Sequence, residues 1–247
     1  MKLPIRTCLL LVLCVFSAQS FSSDVLGKHV LAVSQSMSAF YMYSLSEGDK
    51  RYKNEYEQYF DDAEGYLVQF KKSDALVGNE LQSHWDKLRP ELKYEYIDGS
   101  GFIIPVTVRN QYRAYLSKIF SQYSLTNKAE QNVSSSLESM AINVEVMSAR
   151  FFDISSALYG TMSISTTDKT INPINMAKVL NTRFDQLQAS IMDEKIKRNL
   201  RLVQTKWRFI EDSVINYEGE AAYLLVYYNK SQINKILHKS QRVLAGV

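Results

Sequence analysis

The stretch Arg183-Phe184-Asp185-Gln186-Leu187, followed by Leu202-Val203-Gln204-Thr205-Lys206-Trp207, is the part of this chain that decides its fold. Its Phe-Asp pair and its tryptophan occur earlier, in the same order, as Phe60-Asp61 and Trp85. The tryptophan comes 25 residues after the Phe in the first copy and 23 after it in the second. Beyond each tryptophan, Ser117-Lys118-Ile119-Phe120 matches Asn234-Lys235-Ile236-Leu237, with the isoleucines 34 and 29 residues on. Amphipathic helices rich in Leu, Tyr and Lys always align in part, so chance similarity is the competing explanation. Matched landmarks in matched order favour an internal duplication.

Around these landmarks apolar residues recur at helical spacing, with only Pro90, Pro105 and Pro173 and few glycines to interrupt them after Ser23. The pattern predicts an all-α fold of two tandem four-helix-bundle units, over residues 23–125 and 126–247. In the first unit a helix over 24–45 carries Leu26, Val30, Val33, Met37, Phe40 and Tyr41. A second over 49–77 ends at Gly78, a third carries Leu81, Trp85 and Leu88, and Gly99, Gly101 and Pro105 break regular structure before a fourth built on Val108, Tyr112, Leu116 and Ile119. In the second unit Asn127 and Glu130 form a capping box, and the first helix runs to Gly160. Asn172 and Pro173 open the next helix. A third follows on Ile196, Leu200, Val203, Trp207, Ile210 and Val214. Gly219 then precedes a last helix with Ala222, Leu225, Ile233, Ile236, Leu237 and Leu244 inward. Phe60, Trp85, Phe184 and Trp207 are the expected core anchors. The sequence leaves open whether the bundles stack end to end or merge side by side.

The N-terminus has the pattern of an export signal over residues 1–22: basic Lys2 and Arg6, an apolar run from Cys8 to Phe16, and the small-residue site Ala18-Gln19-Ser20. That run is about half the roughly twenty residues a membrane-spanning helix needs. Leu13 stands before Cys14 where a lipid-modified leader has a small residue. The expected location is periplasmic or secreted. Cys8 and Cys14 are the only cysteines, so the processed chain has no thiol for disulfide, metal or nucleophilic chemistry. Its charge falls from +3 towards neutrality, and no basic stripe of the kind phosphate backbones require is visible.

Chemistry-bearing motifs are sparse. His29, His84 and His238 have no second ligand at helical spacing, so no metal site is expected, and each reads as a surface or rim residue. Met140 or Met147 with His238 is the one pairing that a b-type haem in a helical bundle could use. The attachment motif is absent and no cofactor is expected. No Gly-x-Ser-x-Gly elbow or phosphate loop is present, and Asp61-Asp62 and Glu211-Asp212 point to different helix faces. A catalytic role is therefore not expected, and no catalytic residue is assigned.

What remains is aromatic and basic: sixteen tyrosines, with Tyr41, Tyr94, Tyr96, Tyr217 and Tyr228 among those placed toward helix ends, and Arg109, Arg113, Arg150 and Arg208 able to hold an anion. These are the candidate ligand or partner contacts. The competing reading, and the one the composition favours, is that these tyrosines finish the bundle cores where helices meet water.

The Phe-Asp, spacer, Leu-x-x-Val-x-x-x-Trp pattern through Phe184, Leu200, Val203 and Trp207 resembles helices of bacterial periplasmic sensor modules of the nitrate/nitrite-sensor and type IV pilus chemoreceptor kind. The likeness covers about half of each copy. The arginine-rich signature of those modules' first helix is missing here, so it implies a helical bundle without carrying over anion sensing. The export signal, the doubled bundle and the sparse chemistry point to a non-enzymatic accessory module that binds a small ligand or the periplasmic face of an inner-membrane receptor or envelope complex. A structural, scaffold or chaperone-like envelope role is the alternative and calls for an exposed apolar patch.

Overall fold

The computed structural model describes residues 5–98, 101–127, 132–157, 170–216 and 222–246, with side chains described from residue 23 and not at 90 and 91. Eight α-helices run through these residues: α1 Ile5–Leu45, α2 Lys50–Ser73, α3 Ala75–Glu91, α4 Val106–Thr126, α5 Val133–Ser155, α6 Pro173–Ser190, α7 Glu194–Asn216 and α8 Tyr223–Leu244. The all-α expectation holds. Among the described residues no helix is long and apolar enough to cross a membrane.

Two helices, α1 and α5, form the centre. From Val25 to Met42 and from Ser136 to Ile154, nearly every side chain is buried, whatever its direction from the helix axis. Small residues make this approach feasible: Ser34, Ser36, Ser38 and Ala39 on α1, and Ala141, Ser148 and Ala149 on α5. Two of the buried α1 hydroxyls are satisfied within the helix, where Ser34 donates to Val30 O at 2.8 Å and Ser38 to Ser34 O at 2.9 Å. α1 packs along α5 and also against α2 and α4, while α3 bridges α2 and α4. Likewise α5 packs against α6 and α8, and α7 against α6 and α8. One continuous apolar core joins both sets of helices.

The outer helices follow the sequence closely where their buried face is purely apolar. On α7, Ile196, Leu200, Val203, Trp207, Ile210 and Val214 are all buried, at alternating spacings of four and three. α6 starts as expected, with Pro173 at its first turn and Asn172 accepting from Asn175 N at 3.0 Å.

Several boundaries differ from expectation. α1 is one helix through the anticipated boundary near Ser23, with no proline to interrupt it there. The second helix ends at Ser73, and Gly78 lies inside α3. Asp74 does the work of the break: its N–H donates to Phe70 O, and its carboxylate accepts from Val77 N at 3.1 Å. Gly78 is needed for proximity instead, since a Cβ there would lie 2.5 Å from the Lys71 backbone. The segment expected to lack regular structure forms a hairpin, β1 Glu95–Ile97 and β2 Gly101–Ile103, with Tyr96 opposite Phe102. It covers the end of α1: Tyr94 stacks on Phe40 at 4.4 Å, and Ser44 donates to Phe102 O.

Asn127 closes α4 rather than opening α5, its N–H bonded to Tyr123 O. The capping box belongs to Asn132 and Ser135. Glu130, Gly160 and Gly219 lie outside the described residues. On α8 the inward face is Val226, Asn229, Lys230, Ile233, Asn234, Leu237 and Ser240, whereas Leu225 and Leu244 are exposed. Counting apolar residues misplaced this helix because polar side chains occupy four of those inward positions.

Candidate functional site

The described surface opens into a cleft of about 270 Å³ where the C-terminal half of α4 meets α5 and the start of α6. Its lining mixes apolar and aromatic side chains, Phe120, Tyr123, Met176 and Val179, with polar ones: Ser124 and Asn127 at the end of α4, Ser139 and Asn143 on α5, and Asn175 and Arg183 on α6. The helix geometry explains the arrangement. Ser139 and Asn143 are four apart and share one face of α5, the face turned toward α6. Arg183 Nη1 donates to Ser139 Oγ at 2.8 Å, which fixes the guanidinium at the cleft wall. It is the one charged side chain among the described lining residues. Carboxamides that both donate and accept, one guanidinium and apolar side chains suit a small polar molecule.

At the far end of the same α4–α5 seam, the structure brings together four residues the sequence singled out. Arg109, Arg113 and Arg150 surround Asp153, which is fully buried. Arg113 holds both carboxylate oxygens, donating to Oδ1 at 2.9 Å and to Oδ2. Arg109 is occupied on every side: Nε to Ile104 O, Nη1 to Asp153 O and Ser156 Oγ, and Nη2 to Ser156 O. It satisfies the carbonyls left open at the C-terminus of α5. Tyr41 faces the cluster, with the Arg109 guanidinium 5.1 Å from its ring centre. Burial, followed by the Asp153 charge, pushes its pKa well above the ordinary value. These arginines join α4 to α5. They do not line the cleft, and Tyr41 is fully buried rather than on a ligand-facing surface.

The remaining expected contacts are scattered. Tyr94 is half-buried and donates to Phe40 O at 3.1 Å; Tyr96 is exposed on the hairpin. Arg208 and Tyr228 are exposed on α7 and α8, and Tyr217 lies outside the described residues. The anchors Phe60, Trp85, Phe184 and Trp207 are all buried, with Phe60 stacked on Trp85 at 4.2 Å and Trp207 Nε1 donating to Asn181 Oδ1 at 3.2 Å.

His29 corrects the expectation that all three histidines are peripheral. It is fully buried beside Trp85, 2.8 Å from both Ala63 O and Tyr115 Oη. A carbonyl can only accept, so Nδ1 carries the proton and Nε2 accepts from Tyr115. Burial lowers its pKa to about 4, which keeps the ring neutral at pH 7. His84 and His238 are exposed. His238 turns toward Gln241, whereas Met140 and Met147 are fully buried, leaving the histidine outside any core that a haem could share with those methionines.

Sequence reasoning missed the cleft and a second buried charge system. Glu145 on α5 accepts from Lys230 at 2.8 Å and from Asn234, both on α8, and Lys230 lies 4.6 Å from the Tyr227 ring. Tyr227 in turn donates to Glu55 on α2. The available signal for both was the set of polar residues, Ser139, Asn143 and Glu145, interleaved with the apolar residues in the middle of α5. No protein-family model matches this chain, and neither does any curated protein or solved structure.

Proposed function

We propose that this chain is a non-enzymatic exported binding module that takes one small polar ligand, carrying hydroxyl or amide groups, in the α4–α5–α6 cleft. The observation that carries the proposal is the cleft's composition: Asn143, Asn175, Ser139 and Arg183 together with Phe120, Met176 and Val179. Such a pairing of polar groups with apolar side chains is typical of small-molecule sites. Export to the periplasm or cell exterior rests on the N-terminal Lys2-to-Ser20 pattern. The scaffold alternative draws its support from exposed apolar side chains such as Leu76 and Phe209.

The architecture proposed with it is a duplicated four-helix bundle. Buried positions support the pairing of α3 with α7, where Leu81, Trp85 and Leu88 have the spacing of Val203, Trp207 and Ile210. They also support the pairing of α4 with α8: Tyr112, Leu116, Phe120 and Tyr123 share one spacing with Asn229, Ile233, Leu237 and Ser240.

The test is thermal denaturation with a panel of amino acids, dicarboxylates and hydroxy acids, for the native protein and for Asn143→Leu. A ligand at a hundredfold excess over its Kd should raise Tm by roughly 5–10 °C, and the variant should lose that rise. No shift across the panel, or the same shift in both proteins, overturns the proposal.

A further inference from the structure

α7 and α8 lie antiparallel, with Asn199 Nδ2 donating to Ser240 Oγ at 3.0 Å and Lys206 Nζ 5.6 Å from the Tyr228 ring centre. From these anchors the helical period of 100° per residue places the exposed side chains of both helices on one shared outer face. One end of that face is basic: Lys195 and Arg198 on α7 stand beside Lys235, Lys239 and Arg242 on α8, all exposed. The other end is apolar and aromatic, from Leu202 and Phe209 on α7 and Leu224, Leu225 and Tyr228 on α8, with Phe209 65% exposed.

The charge is one-signed to an unusual degree for this chain. α8 has no acidic residue over its whole length. On α7, Glu194 is paired with Lys197 at 3.1 Å, and Glu211 accepts from Asn181 on the α6 side. Asp212 is the one further acid on α7, bonded to Asn216. The basic character is invisible along the sequence because five cations from two distant segments are assembled only by the helix pairing.

We infer that this face docks on an anionic membrane surface, with the lysines and arginines at the lipid headgroups and Phe209, Tyr228 and the leucines entering the interface. Two observations select lipid over another polyanion. Exposed leucines at positions 202, 224 and 225 gain nothing from a phosphate backbone and do gain from hydrocarbon. Tyr and Phe beside Lys and Arg are the residue set that settles at the headgroup boundary. The occupant is the bilayer itself, and the site is separate from the α4–α5–α6 cleft.

The test is vesicle flotation of the purified protein with pure phosphatidylcholine and with phosphatidylcholine containing 30% phosphatidylglycerol, a mixture chosen as about one anionic lipid in three. Circular dichroism confirms that each variant is folded. Binding should require phosphatidylglycerol and weaken with salt. Lys195→Glu with Lys239→Glu should weaken it by roughly tenfold or more, and Phe209→Ser should weaken it while leaving the salt dependence in place. Failure to float with phosphatidylglycerol vesicles overturns the inference. So does retention on heparin matching vesicle binding and indifferent to Phe209→Ser, which would assign the face to a soluble polyanion.

Discussion

The cores of the two helix sets solve the same packing problem with different chemistry. Around Trp85 the buried groups are aromatic and neutral: Phe60 stacks on the indole, Tyr115 tilts against it, and His29 is held uncharged between Ala63 O and Tyr115. Around α8 the buried groups are ionic, with Glu145 and Lys230 both almost fully enclosed and Asn234 completing the carboxylate's shell. The matched spacing of buried positions shows that helix geometry fixes where side chains go inward, and leaves open whether those places are filled by rings or by a charge pair. The two solutions differ in how they fail. A ring can be trimmed with loss of packing alone, whereas half of a buried ion pair leaves an unpaired charge behind.

The largest effect expected from that difference is at Glu145. Glu145→Leu leaves the Lys230 ammonium buried without its carboxylate and should cost roughly 3–5 kcal/mol in urea unfolding. Glu145→Leu with Lys230→Met should recover most of the loss. A double variant as unstable as the single one would mean that packing, not charge, dominates this site.

His29 offers the second way to separate the two cores. Its folded pKa of about 4 lies below the ordinary 6.5, so between these values the unfolded chain binds a proton that the folded one excludes. Stability from this group is present above pH 6.5 and is lost as pH falls toward 4, by about 3 kcal/mol for a shift of this size. Glu138 acts in the opposite sense. Its pKa is raised to about 7, by burial and then by the Asp24 carboxylate, so its contribution is present below pH 4.5 and is lost as pH rises to 7. His29→Gln should therefore flatten the acid-side loss, measured as urea midpoints at pH 4.5 and 7. An unchanged pH profile would remove His29 from the account.

Close approach is the third contrast, since α2 and α3 meet at a glycine. Gly78→Ala should cost roughly 1–3 kcal/mol, because its methyl group would overlap the Lys71 backbone. A neutral result would show that α3 can move away from α2 freely. The smallest effect is at the cap of α6, where Asn172→Ala should cost about 1 kcal/mol, observed as a lower Tm.

How far the fold was legible in the sequence depended on what faced inward. α7 and the cap at Asn172 could be read directly because an apolar stripe and a turn residue each have one meaning. α8 could not, since Lys230 and Asn234 point into the core to meet Glu145, and periodicity counts polar residues as outward. The turn at Asp74 was obscured by Gly78, which serves proximity and not termination. Of the expected contacts, Arg109, Arg113, Arg150 and Tyr41 do gather in one place, around Asp153. Their role as a link between α4 and α5 depends on an antiparallel pairing that a one-dimensional pattern does not contain. The cleft was missed for the same reason, because its walls come from three separate helices.

The central claim is that the α4–α5–α6 cleft holds a small molecule, and native mass spectrometry of the protein purified gently from its native source tests it most directly. The account predicts a single small-molecule adduct on the native protein that disappears in Asn143→Leu while the fold, checked by circular dichroism, is kept. Apo mass alone under all conditions, or an adduct retained undiminished by the variant, would contradict it.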